Sequence, residues 1–474
     1  MRIIKLNRSF PCDSSIKTIC PISIAHLKPT ISHKSMVFVF ASLPAIILFS
    51  LLIESAQAAN FYVRPNGGTY GNANGSNWDN AFNGFSGISW ASVSCGDTVW
   101  VAGGTYTQSL SPRKKCSSGS RLYIKRARAD ATECTGAAGW NAGFNATVTQ
   151  ASSGIVFSDA ENDYITISGR TTSSGGDYGW HIDFTGNTQG EGIYIDQSAS
   201  YDYNTFEYID IQGPGYVHYT GGGGKGIYIN SYGASPEGTG NMFSHIKVHG
   251  WESGIYNTSI QATTYEYIEM YDIAEDCTND CFHANGIYIS GSNNSIVRYS
   301  RFHGNLGVGI FFSGMSPSYD GWKIYGNVFY DITESGDRGI LVGNPIKNTL
   351  IYNNTFHNVS SPVDDSGPGY CSTGTQSKNN ISYNSGTVTC GTSSNNLRQN
   401  TPNPFVNSAT HDYHIVSTIG AGYPRNAGAN LSSYFNKDMD EITFGGDGAW
   451  DIGAYEWSSG GGKTPAPPSD IQVR

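Results

Sequence analysis

Apolar residues alternate with polar or aromatic ones in short runs through the middle of the chain, and glycine or asparagine interrupts every run. The clearest unit is Gly-Ile-aromatic-apolar. It reads GIYI from Gly192, Gly226 and Gly286 and GIFF from Gly309, with weaker copies at Gly254-Ile255-Tyr256 and Gly339-Ile340-Leu341-Val342. Their starts lie 34, 28, 32, 23 and 30 residues apart. A second unit falls between them: FEYIDIQG from Phe206, FSHIKVHG from Phe243, YEYIEMYD from Tyr265, VRYSRFHGN from Val297, IYGNVFYD from Ile324 and IYNNTFHN from Ile351. A period of two predicts strands and excludes amphipathic helices. Two short strands recurring at irregular intervals predict a solenoid. A propeller blade needs four strands per unit, and the Leu/Asn spacing of leucine-rich repeats is absent. The pattern therefore predicts an all-β, single-stranded parallel β-helix with variable loops spliced between constant strands.

That architecture assigns side chains to faces. In the glycine-led strand both Ile positions point inward, and the residue between them forms an outward column: Tyr194, Tyr228, Tyr256, Tyr288, Phe311 and Leu341. In the other unit the inward anchors are Ile211, Val248, Met270, Phe302, Phe329 and Phe356. One outward column, Asp210, Lys247, Glu269, Arg301, alternates in sign and is read as structural pairing worth a fraction of a kcal/mol per exposed contact. The column after the anchors contains His249, His303 and His357 among Gln and Tyr, and is read as a surface ladder. Asn327 and Asn354 occupy equivalent turn positions, where Asn tolerates a left-handed backbone and can stack as a short ladder.

Both ends of the repeat region have the look of caps. Phe61 to Gly68, Trp78 to Phe82 and Gly96 to Tyr106 resemble the opening coil of secreted right-handed parallel β-helix proteins, a superfamily that includes pectate-lyase-like polysaccharide lyases. Asn403-Pro404-Phe405-Val406, Asp412 to Ile415 and Asp451 to Trp457 resemble the closing segment of that superfamily in bacteria. The resemblance implies a right-handed parallel β-helix and export. It does not fix a reaction, because lyases, hydrolases, epimerases and adhesins share the scaffold. The expected organisation is a signal peptide and leader over 1–58, an N-terminal cap and first coil over 59–120, repeats over 121–400, a closing segment over 401–457 and a flexible Gly/Pro tail over 458–474.

Composition agrees. Gly 59, Tyr 30, Phe 21 and only 14% charged residues suit a turn-rich β chain, not a charged disordered one. Met36 to Ile53 is an apolar run followed by Ala56-Gln57-Ala58, the small-residue ending of a secretory signal, which predicts a secreted chain beginning at Ala59. Met36 is an alternative start, and a membrane anchor is the rival reading of the run. No integral span is expected after processing. The chain without residues 1–58 has 22 basic and 36 acidic side chains, formally -14, a surface that disfavours nucleic acid and anionic lipid. Seven cysteines remain, an odd number, and in an exported protein they are disulfide candidates. Cys371 with Cys390, and Cys277 with Cys281, are the expected pairs, tying loops together.

Pectin- and alginate-acting members of the resembled superfamily use a groove along one long parallel sheet, which the resemblance places on the tyrosine column. Exposed aromatics stack on the apolar faces of sugars, so Tyr194, Tyr228, Tyr256, Tyr288 and Phe311 are candidate substrate-binding residues and a polysaccharide is the expected partner. The competing reading buries these rings under loops. Uronate β-elimination needs a cation against the substrate carboxylate and a base for the adjacent proton. Lys225, His283 and Arg338 lead into the glycine strands and are candidate catalytic residues, with Asp280 beside them. Glu275, Asp276 and Asp280 offer a calcium site as an alternative source of charge, and no other cofactor is expected. Asp280 with Glu334 or Asp337 would instead suit glycoside hydrolysis. A non-catalytic glycan-binding, surface or adhesin-like rod is the alternative from another class. The run Gly221 to Gly226 resembles a phosphate loop but lacks the Lys-Ser/Thr ending and a following helix.

Overall fold

The computed structural model describes residues 58–158, 162–187, 190–196, 201–215, 224–230, 238–273, 284–304, 306–333 and 337–460. Strands within them form a 21-stranded sheet, an 8-stranded sheet and three two-stranded pairs. Both large sheets pair in parallel, coil upon coil. Met242–Trp251 lies on Thr264–Ile273 with Phe243 opposite Tyr265, Ile246 opposite Ile268 and Val248 opposite Met270. Glycine-led strands stack in the same way, Ile227 on Ile255 and Ile255 on Ile287. The chain is a parallel β-helix, as the repeat predicts.

A single apolar core runs inside the coils from Val63 to Cys390. All six predicted anchors, Ile211 to Phe356, are fully buried. Phe302, Phe329 and Phe356 stack face to face at 4.8 and 4.9 Å, an internal aromatic column along the rod. The repeat's glycine follows from this packing. A Cβ at Gly226 would run into Val248, and one at Gly254 into Met270. At Gly309 a Cβ would sit 2.5 Å from the Gly339 carbonyl oxygen and 2.8 Å from the Phe329 ring. Because Phe329 is clamped between two rings, Gly309→Ala is expected to destabilise the fold by about 1–3 kcal/mol, measurable as a lowered denaturation midpoint.

In the second unit of the repeat the chain turns a sharp corner at one left-handed residue. In four successive coils it is bulky: Tyr208, His245, Tyr267 and Tyr299, with φ of 58°, 54°, 52° and 54°. Later coils use Gly326, Asn353, Asn379 and Asn395 there. The asparagine ladder is real and longer than expected, but its backbone reason differs. Asn327 N–H donates to Asn354 Oδ1 (3.1 Å), Asn354 N–H to Asn380 Oδ1 (2.9 Å) and Asn380 N–H to Asn396 Oδ1 (2.9 Å). The left-handed position belongs to the residue before each of these. Asn327, Asn354 and Asn380 are buried because their amides bridge neighbouring coils.

At the first end Asn60–Arg64 pairs with Thr98–Val101, which pairs with Leu122–Arg126. At the other, Phe405–Asn407 and Asp412–Ile415 form an antiparallel pair. That closing segment packs Phe405, Tyr413, Ile415, Ile452 and Tyr455 against Val328, Tyr330 and Ile381 of the coils. Disulfides join Cys371 to Cys390, as expected, and Cys95 to Cys116. Cys134 is buried and carries a free thiol. Cys277 and Cys281 lie outside the described residues, as does the apolar run from Met36. Among the described residues no helix is long and apolar enough to cross a membrane.

Candidate functional site

The 8-stranded sheet is built from the glycine-led strands, and its register creates two outward rows. The first is Tyr194, Tyr228, Tyr256, Tyr288, Phe311, Leu341 and Asp364, each opposite the next. The alternating Ile residues are wholly buried, while every aromatic in the row is half-buried. Among the described residues the rings are neither fully exposed nor fully buried, and they cover part of one another. Ring centroids lie 5.6, 5.6, 4.3 and 5.5 Å apart from Tyr194 to Phe311, with Tyr256 and Tyr288 face to face.

The second row stands at the strand starts: Glu191, Lys225, Ser253, Asn285, Val308, Arg338 and Ser361. Lys225 leans over the aromatics, its Nζ 4.6 Å from the Tyr228 centroid and 5.4 Å from that of Tyr256. Burial lowers its proton affinity below that of an ordinary lysine, with the charges of Glu191 and Glu252 acting in opposition. Burial raises the proton affinity of Glu191, with Lys225 in opposition. Glu191 and Lys225 are register partners in adjacent coils, and burial shifts each toward its neutral form.

Arg338 belongs to the same row but not to the same place. Ser253, Asn285 and Val308 intervene, so four rungs, or about 19 Å, separate it from Lys225. Its Nε is paired with the Asp364 carboxylate, and its Nη1 donates to the Asp337 carbonyl at 3.2 Å. The structure does not bring Lys225 and Arg338 together. His283, Asp280, Glu275, Asp276 and Glu334 lie outside the described residues.

The other charged row, on the 21-stranded sheet, is less simple than its alternating signs suggest. Lys247 pairs with Glu269 at 3.4 Å. Asp210 Oδ1 lies 2.9 Å from His249 Nε2, and Arg301 donates to the Tyr455 hydroxyl at 2.8 Å. The histidine column is a stacked ladder, but only its His249 end is partly exposed. His249, Tyr271, His303 and Tyr330 stack at 4.7, 5.3 and 4.5 Å. His303 and His357 are buried, and over His357 the closing segment crosses the coils and sets the Tyr413 hydroxyl 3.0 Å from Nδ1. Burial lowers the proton affinity of His357.

A second aromatic column escaped the sequence reading. Tyr208, His245, Tyr267 and Tyr299 stack along the corner at 4.4, 4.5 and 5.5 Å. The signal was present, since each occupies the third position of FEY, FSH, YEY and VRY.

No protein-family model matches the chain, and no curated protein does. Among solved structures it is similar to pectate lyase Pel9A, 16% identical with a TM-score of 0.48, over 85% of this chain and 97% of that one. It is also similar to a rhamnogalacturonan lyase, 13% identical with a TM-score of 0.46, over 68% and 87%. A PL6 alginate lyase, AlyGC, is 11% identical with a TM-score of 0.37, over 88% and 60%. The fold assignment rests on the strand register itself.

Proposed function

We propose that the chain is a secreted polysaccharide-active protein that holds an acidic, uronate-containing glycan along the aromatic row and cleaves it by β-elimination. The observation that carries this reading is Lys225, set into the row over Tyr228 and Tyr256 with its basicity lowered by burial. The Cys95–Cys116 and Cys371–Cys390 disulfides support an oxidising, extracellular setting. Half-buried rings offer sugar faces a stacking surface several coils long.

In the proposed step the neutral amine of Lys225 removes the proton from the carbon bearing the carboxylate. The electron pair becomes the new double bond as the glycosidic C–O bond breaks. Solvent water returns a proton to the departing oxygen, so the step needs no protonated side chain beside the base. Arg338 lies four rungs away, so the cation that the substrate carboxylate requires would be calcium, which the test adds and withholds. The test is a panel of uronate-containing and neutral glycans, with and without calcium, followed by the ultraviolet absorbance of unsaturated product and by reducing ends. Rising absorbance on a uronate glycan is expected. New reducing ends without absorbance would replace elimination by hydrolysis. Retention of a glycan on a native gel with neither signal would make the aromatic row a non-catalytic binding platform.

A further inference from the structure

A pocket of about 370 Å³ opens where the closing segment folds across the coil corner, on the 21-stranded sheet. Its floor is the buried pair Tyr299 and Tyr325. The Tyr325 ring stacks on Phe435 of the closing segment at 4.3 Å, and the Tyr299 hydroxyl donates to the Lys437 carbonyl at 2.8 Å. Body and closing segment are thus tied on both sides of the cavity, which is preformed and within the size range of small-molecule sites, about 300–1,000 Å³. Its rim carries two accessible rings, Tyr267, half-buried, and Tyr434, 44% exposed and held edge-on against Tyr352 at 5.4 Å.

The charges around it select the ligand. Arg298 donates from Nε and Nη2 to Glu266 Oε2 at 2.8 and 2.5 Å and from Nη1 to the Tyr325 hydroxyl at 3.1 Å. Its guanidinium fork is therefore already occupied by a carboxylate and is not offered to another. Asp438 accepts the N–H groups of Asp440, Ile442 and Glu456. At the rim stand one ammonium, Lys437, and one carboxylate, Glu441, both exposed. With Glu266, Asp438 and Glu441 outnumbering Arg298 and Lys437, an anionic sugar is disfavoured. One donor and one acceptor beside the exposed Tyr434 ring and the outer edge of Tyr267, whose faces His245 and Tyr299 cover, match the apolar face and hydroxyls of a neutral ring.

We infer that this pocket is a second glycan site, taking a neutral hexopyranose unit of a polysaccharide against the Tyr434 ring and the edge of Tyr267, with hydroxyls on Lys437 and Glu441. It lies on a different sheet from Lys225 and does not depend on the elimination reading. Two sites on one rigid rod would let the protein hold a mixed wall matrix by one glycan while engaging another, raising local concentration. The test is native affinity electrophoresis of the full protein in gels containing galactan, galactomannan, xyloglucan or mixed-linkage β-glucan, with polygalacturonate as the contrast. At least one neutral glycan should retard the protein. Tyr434→Ala and Tyr267→Ala should each weaken that retention by about tenfold, the scale of losing one ring's contact. Neither should alter behaviour toward polygalacturonate. Glu441→Ala, at an exposed position, serves as an independent variant should either tyrosine change lower the melting temperature. Retardation by none of the neutral glycans, or retention unchanged in all three variants, overturns the inference. Failure to cleave polygalacturonate overturns only the elimination reading.

Discussion

Lys225→Met is expected to abolish eliminative cleavage, lowering its rate by about 10²- to 10⁴-fold, the range for loss of a positioned general base. Methionine keeps an unbranched apolar stem against Tyr228 and Tyr256, so glycan retention should change little while turnover collapses. A pH profile separates a base from a merely structural lysine. The amine acts only when neutral, so the rate should rise with pH through the titration of Lys225 and then level. Because burial lowers its proton affinity, that limb should lie below the value of about 10.4 for an ordinary lysine. The charge of Glu252 raises the proton affinity of Lys225. Glu252→Gln should therefore move the limb to lower pH, with the fold unchanged. A limb that stays fixed in Glu252→Gln, or activity surviving in Lys225→Met, would remove Lys225 from the reaction.

The fold was legible because the β-helix repeats its core. An isoleucine with a glycine before it and a large anchor in the other strand recur from coil to coil, and the same contacts explain all three. Gly226 against Val248, Gly254 against Met270 and Gly309 against Phe329 are one packing rule written several times. The tyrosine row was legible for the same reason, since strict alternation puts one residue per strand outward. What alternation could not give was the corner. Tyr208, His245, Tyr267 and Tyr299 adopt a left-handed backbone, which interrupts the period of two and turns their rings outward beside already outward neighbours. Nor could it give the cover. His357 has a surface position in the repeat, but the closing segment, far along the chain, removes it from solvent. Convergence failed similarly: Lys225 and Arg338 share a row, and only the count of intervening coils shows that sharing a row is not sharing a site.

That closing segment should make the protein less stable as pH rises. Its turns are tied by buried carboxyls. Asp438 caps the backbone at Asp440, Ile442 and Glu456, and Glu456 accepts the N–H groups of Gly445 (2.7 Å) and Asp451 (3.1 Å). Asp438 and Glu456 are only 1% and 3% exposed. Burial pushes Asp438 up to about 6, against its backbone donors. Burial and then the neighbouring Asp451 push Glu456 up to about 8. His414 is also raised. Burial acts against its charged form, but hydrogen bonds to Asp440 and Asp412, at 2.8 and 2.6 Å, outweigh it. For each of these groups the folded chain binds its proton more tightly than the unfolded chain. Their contribution is therefore full below the unfolded values and lost as pH rises through the folded ones. His245 and His357, lowered by burial, act in the opposite direction but are neutral in the alkaline half of the range. Stability is expected to fall by roughly 3 kcal/mol between about pH 5 and pH 9, most clearly between about pH 6.5, above which the opposing histidines are neutral in both states, and about pH 8, where Glu456 ionises against Asp451. Denaturant midpoints across that range check the slope. Glu456→Gln should be less stable at low pH by about 1–2 kcal/mol, having set an amide donor against the Asp451 N–H, yet lose the alkaline decline. Stability that is flat or rising through the alkaline half in the parent protein would show that the closing segment is not held by these protons.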